Sequence, residues 1–252
     1  MIAYSKFSVR VAEFYFGEVR NGASADIVRH VQYPAPIEGV RCTPFSTILI
    51  DLNRPEADLF AEMDHTTRYE VRRGGDKDRL TAEEHLCPSI EILREFWMFC
   101  DRFAATKGLP KTNRRKLRAL LDASALFLSC VRQEVGDPLV WHAYIRTNTC
   151  ARLLHSASLF RSESDKPARQ LAGRANRFLH WADILQFKLA GISTLDMGGC
   201  YEGTTDQERL RINAFKQGFG GQVVKTFNAE VAVTLKGELV LRGLSMMRRG
   251  HA

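Results

Sequence analysis

The sequence predicts an α/β (α+β) fold, with a mixed, mostly antiparallel central sheet flanked by helices, and three observations lead there. From residue 125 the hydrophobic period switches between two and 3.6 in the order β-β-β-α-β-α-β-β. A crossover through a helix requires parallel neighbours, whereas strands joined by short turns run antiparallel, so one sheet must contain both. The 252 residues are 45% hydrophobic and 26% charged, which excludes disordered, collagen-like and coiled-coil classes and leaves room for a substantial core.

The elements follow in chain order. Residues 6–19 alternate as a strand, and "FSTILIDL" (45–52), a β-branched run between Pro44 and Pro55, predicts another. "PEADLFAEMDHTTRYEVRR" opens with proline and acidic residues and ends in arginines before Gly74 and Gly75, which predicts a single helix closed by those glycines. Residues 87–108 form an amphipathic helix closed by Gly108, and "NRRKLRALLDAS" supplies a second. Three strands follow, "ALFLSCVRQE", "LVWHAYIRTN" and "ARLLHSASLF", the first two joined by a Gly-Asp-Pro turn. "RSESDKPARQLAG" reads as a polar loop before a helix over 174–191, "ISTLDMGG" as a short buried strand, and "DQERLRINAFKQGFGG" as a helix broken by glycines. "VVKTFNAEVAVT" and "GELVLRG" are expected to close the chain as two strands. Two parts are expected, an N-terminal part over 1–86 and a main domain over 87–252.

Residues 1–20 carry charges throughout and lack the apolar core of a secretory signal, and no stretch reaches the roughly 20 apolar residues of a spanning helix, so a cytoplasmic protein without a transmembrane segment is expected. The six cysteines are scattered without a C-x-x-C pair and read as reduced thiols, neither a disulfide framework nor a zinc site; no metal is expected. Lys and Arg outnumber Asp and Glu by 36 to 29, and a net charge of +7 favours anionic partners, with RNA contact among them.

The chemistry concentrates near "INAFKQGFGG" (212–221), where Lys216 sits in an apolar helical turn just before three glycines. Asp196 ends a buried strand, and Gly198 and Gly199 after it let backbone approach a ligand with N–H groups outward. Lys216 on the next helix then supplies a cation where a tetrahedral intermediate gains charge. The competing interpretation is a lysine that snorkels from an amphipathic helix which the glycines simply end. His142, His155 and His180 are candidate general bases, and His180 ranks first because Asn176 lies one turn before it on the same face. In "HSAS", His155 and Ser156 are adjacent on a strand and point to opposite faces, which excludes a hydrolase-like pair. Arg68 and Arg72 share a helix face and either clamp a phosphate or carboxylate or form a solvated basic helix end.

The strand and helix order is that of the GNAT acyltransferase fold. The pair "HWADILQFKLAGISTLDMGG" and "INAFKQGFGG" resembles the C-terminal domain of Fem-type aminoacyltransferases, GNAT-related enzymes that build peptidoglycan bridges from aminoacyl-tRNA; the match covers about 125–242. Its residues here are Trp181, Gly191, Asp196, Gly198, Gly199, Phe215, Lys216, Phe219 and Gly220, with a weaker match at "MDHTTRYEVRRGGDK". Family members generally carry two such domains, so residues 1–86 are expected to be a partial first lobe. The resemblance implies a transferase with Lys216 and Asp196 as catalytic residues and with Arg68, Arg72, Trp181 and Phe215 on substrate, to which the helical spacing adds His180 as catalytic base and Asn176 on substrate. "QLAGRA" fits the pattern by which GNAT enzymes hold the pyrophosphate of acyl-CoA, placing Gln170, Gly173, Arg174 and Ala175 with Gly198 and Gly199 at the donor. No tightly bound cofactor is expected; the donor is an anionic co-substrate, acyl-CoA or aminoacyl-tRNA, and the acceptor bears an amine. The alternative is a non-catalytic module that binds RNA or a nucleotide-linked sugar.

Overall fold

A computed structural model describes residues 1–6, 8–17, 24–132, 137–158 and 165–249. The expected Gly-Asp-Pro turn and the start of the polar "RSES" stretch fall partly or wholly outside those residues. Contacts divide the chain into two units: Met1–Ser46 with Arg115–Ala123 and Lys225–Ala252, and Thr47–Arg114 with Ser124–Val224.

The first unit contains β1 (Ile2–Lys6), β2 (Val9–Tyr15), β3 (Ile27–Tyr33), nearly all of α4 (Arg114–Asp122), most of β10 (Gln222–Ala232) and α7 (Leu235–Arg249). β1 and β2 are antiparallel, β2 and β3 parallel, and β3 and β10 antiparallel. Val9, Val11 and Ile27 are buried beneath Val240 and Leu241 of α7. The expected boundary near residue 86 therefore differs from the observed one, because β10 and α7 return from the far end of the sequence to complete this unit. Its interior holds a charged knot. Glu13 accepts from the Tyr4 hydroxyl at 2.6 Å and pairs with Lys116 of α4 at 2.7 Å, which together hold its carboxyl near pH 2 against the penalty of burial.

In the second unit, residues 47–51 of β4 (Cys42–Asp51) begin a sheet that continues through β9 (Thr194–Gly199), β8 (Cys150–Ser158), β7 (Pro138–Arg146), β6 (Leu126–Arg132) and β5 (Thr81–His85). All neighbours are antiparallel except β8 and β9, which the crossover helix α5 (Lys166–Leu189) joins. The parallel register runs from Cys150 opposite Thr194 to Arg152 opposite Asp196. A register shift between Ala143 and Tyr144 marks a bulge in the β7–β8 pairing. The core collects Ile48, Ile50, Phe127, Tyr144, Phe187, Leu195 and Phe219, all at most 2% exposed.

Four expectations are corrected. The stretch after Pro55 is two helices, α1 (Glu56–Glu62) and α2 (His65–Asp76), because Asp64 caps a new helix by accepting from the Thr67 N–H. Gly74 and Gly75 lie inside α2, and at Gly74 a Cβ would stand 3.1 Å from the Phe178 Cβ of α5. α5 begins at Lys166, capped by Asp165 with Pro167 in its first turn, so residues 170–173 are helix. "GELVLRG" belongs to α7, whose leucines are good helix formers. The strands β3 and β5 carried no signal recognised in the sequence. Elsewhere, α3 (Ile90–Thr106), capped by Ser89, and α6 (Gln207–Gln217), capped by Asp206, stand where expected.

Candidate active site

A cavity of about 530 Å³ opens within the second unit, between the end of α3, β8, α5 and α6. Each element delivers one face to it. From α5 come Gly173, Asn176, Arg177 and His180, and from α6 Arg211, Ile212, Phe215 and Lys216, both sets at helical spacing. β8 contributes Leu153, Ser156 and Ser158, and the α3 end contributes Phe103, Lys107 and Leu109.

Lys216 does not point away. Its Nζ donates to the Gly199 carbonyl at 2.7 Å, joining α6 to the tip of β9. A Cβ on Gly198 would lie 3.7 Å from that nitrogen and 3.3 Å from the Leu153 carbonyl, and Gly198 takes φ +78°. Glycine therefore lets the strand tip pass between the lysine and β8. Burial lowers the Lys216 pKa from the ordinary lysine value, and Asp196 opposes that shift. An ammonium has three hydrogens, so others remain for a ligand.

Behind the cavity wall lies a buried polar chain. Ser156 Oγ donates to Asn176 Oδ1 at 3.2 Å, and Asn176 Oδ1 lies 2.8 Å from His142 Nε2. His142 Nδ1 donates to Asp183 Oδ2 at 2.7 Å, and the Tyr144 hydroxyl donates to the same oxygen at 2.7 Å. Tyr144 Oη also lies 3.3 Å from His180 Nδ1, which returns the chain to the cavity. His180 is 1% exposed and packs against Phe215, Phe219 and, at 4.0 Å between ring centroids, His142. Burial, then His142, Lys216 and Arg177, hold its pKa well below the usual histidine value, so its ring is neutral at neutral pH. Burial and the Asp183 carboxylate push the Tyr144 hydroxyl well above its own usual value.

Five of the residues singled out in the sequence share this cavity: Lys216, His180, Asn176, Phe215 and Gly173. Gly198 and Gly199 reach it through Lys216. Asp196 does not line it: fully buried, it accepts from the Thr47 hydroxyl and, at 2.7 Å, from the Gly198 N–H. That N–H is therefore turned inward, contrary to expectation. Gln170, Arg174 and Ala175 lie beyond the first turn of α5, where Pro167 has no N–H and Asp165 already caps the Ala168 N–H, so residues 170–175 form helix and not the expected phosphate loop. Arg174 instead pairs with Asp78, its NH2 group 3.2 Å from Oδ1, and Ala175 is buried. Arg68 donates to the carbonyls of Ala61 and Met63 and so caps α1. Arg72 lies over the Phe60 ring at 4.9 Å, and Phe60 meets Trp181 edge-on at 5.2 Å, so this group is packing rather than a clamp. His155 faces Phe96, away from Ser156, as strand alternation requires. Arg177, which pairs with Glu70 at 2.8 Å and lies over Phe215, was missed, although it precedes His180 on the same helical face.

No family model matches the chain, and no curated protein matches it in sequence. Solved structures do match. The crystal structure of FemX superposes with a TM-score of 0.58 at 14% identity over 73% of this chain and 61% of that one. The C-terminal domain (DUF2156) of a putative lysylphosphatidylglycerol synthetase from Agrobacterium fabrum gives 0.57 at 16% identity, covering 87% of this chain and 72% of that one. The chain has the fold of these two structures. The L-PGS of Bacillus licheniformis adds a TM-score of 0.53 at 13% identity, covering 86% of this chain and 72% of that one. The chain thus spans under two thirds of the length of FemX. Within this fold, the cavity lies beside the parallel pair β8 and β9.

Proposed function

We propose that the protein transfers an aminoacyl group from aminoacyl-tRNA to an amine. The observation that carries this reading is Lys216, a half-buried ammonium held on the Gly199 carbonyl at the wall of a cavity that also contains His180. The acceptor nitrogen attacks the ester carbonyl, and the oxygen that becomes negative meets the free hydrogens of Lys216, a donor set in place before the reaction. The attacking amine passes its proton to neutral His180, and the departing ribose oxygen takes that proton as the C–O bond breaks. The apolar lining from Phe103, Leu109, Ile212 and Phe215 suits a side chain or acyl chain, and Arg211 lies at the same cavity to meet phosphate.

Two considerations favour aminoacyl-tRNA over acyl-CoA. "QLAGRA" is helix instead of a phosphate-binding turn, and the net charge of +7 suits RNA. The resemblance of "INAFKQGFGG" to Fem-type aminoacyltransferases supports the same donor. The test offers the protein total tRNA charged with radiolabelled amino acids, or radiolabelled acyl-CoA, with a cell extract as acceptor source. Label transfer from charged tRNA alone is the expected result, and transfer only from acyl-CoA overturns the choice of donor.

A further inference from the structure

The geometry points to Tyr144 and Asp183 as positioning residues that lock His180 in its Nδ1–H tautomer, so that the Nε2 lone pair is the one left for the proton of the attacking amine. This rests on the reading of His180 as the proton acceptor and specifies which nitrogen acts. The hydroxyl of Tyr144 has one hydrogen. It is directed at Asp183 Oδ2, 2.7 Å away, an oxygen that also receives the His142 Nδ1–H at 2.7 Å. With that hydrogen engaged, the only role left for Tyr144 Oη toward His180 is acceptor, and the 3.3 Å approach is to His180 Nδ1. A neutral imidazole has a single N–H, so hydrogen at Nδ1 leaves Nε2 as a bare lone pair.

The same arrangement balances the proton. When Nε2 takes the amine proton, His180 becomes an imidazolium whose Nδ1–H still donates to Tyr144, which stays oriented by the Asp183 carboxylate. When the leaving oxygen recovers the proton from Nε2, the starting tautomer returns, and no other group changes its protonation. The groups that face His180 from its surroundings are His142 of β7, Arg177 of α5 and Lys216 of α6. All three disfavour the imidazolium, and the Nδ1–H bond to Tyr144 persists in both protonation states of the ring.

Histidine-selective 15N labelling of the full chain, read by two-bond nitrogen–proton correlation at pH 7.5, tests this directly. The His180 signals are assigned as those lost in His180→Gln. The wild type is expected to show the Nδ1–H pattern. Tyr144→Phe keeps the ring in the core and removes only the acceptor, and should lose that pattern while kcat falls roughly tenfold to a hundredfold, a fraction of what a general base supplies. An Nε2–H pattern in the wild type, or an unchanged Nδ1–H pattern in Tyr144→Phe, overturns the inference. The wild-type spectrum decides even if the variant fails to fold. Because the spectrum needs no substrate, the lock can stand while the transferase reading fails, as it would if neither labelled donor gave transfer.

Discussion

Half-burying the Lys216 ammonium costs free energy that an exposed lysine would not lose, and the Gly199 carbonyl at 2.7 Å with the nearby Asp196 carboxylate offsets only part of it. A lysine kept there for stability alone is therefore a poor choice, and Lys216→Met separates the two roles. Methionine fills a similar volume without desolvating a charge, so the urea midpoint should hold or rise. Transfer should fall about 10²–10³-fold, the usual loss for one oxyanion donor. Unchanged transfer with unchanged stability would show that Lys216 is not the oxyanion donor. At this scale much of the site was legible. Lys216 and His180 stood out because a cation inside an apolar turn, and a histidine one turn from an asparagine, each break a local pattern. Asp196 stood out equally, yet its carboxylate faces Thr47 and Gly198, because a sequence records a residue type without recording which neighbour the fold brings to it.

Among the elements, glycines mark two different constraints that look alike in sequence. Gly191, after α5, has φ +73° with nothing within 4 Å of a Cβ, whereas Gly221, before β10, has φ +86° and would place a Cβ 2.5 Å from the Leu49 carbonyl oxygen of β4. Alanine at Gly191 should cost only the left-handed backbone penalty, roughly 1–2 kcal/mol. At Gly221 a backbone carbonyl cannot swing aside, so a further ~1–3 kcal/mol of overpacking is expected. Urea unfolding of Gly191→Ala and Gly221→Ala checks this, and equal losses would show that the approach of Leu49 relaxes freely. The misread elements have related causes. "DKPARQ" looks like a loop because its residues are polar and mostly exposed, although Asp165 and Pro167 are start signals in the right order. "GELVLRG" carries the apolar density of a strand, but α7 uses it to cover Val9 and Val11, a long-range partnership no local window contains.

For the whole molecule, the buried histidines set the acid limit of stability. Burial lowers the pKa of His180 well below 6.5, and lowers those of His30 and His85 by less complete desolvation. A depressed histidine leaves the unfolded chain binding more protons than the folded one between the folded and unfolded pKa values, so its contribution is complete above about 6.5 and is lost as pH falls through that window. For His180 the loss approaches the linkage limit of about 1.4 kcal/mol per pH unit; His30 and His85, more exposed to solvent, add smaller amounts of the same sign. Glu84, raised by burial and by Asp183, opposes them only above its ordinary 4.5, while Glu13, held near pH 2, is protonated in the unfolded chain only as pH approaches 4.5. Urea midpoints should therefore drop clearly between pH 7.5 and 5.5, before any carboxylate of the Glu13 kind begins to titrate. In His180→Gln, which removes the largest of these shifts, the drop should be shallower. A slope as steep in the variant as in the wild type would mean that protonation of other groups dominates and that the ring of His180 is not held neutral by its burial.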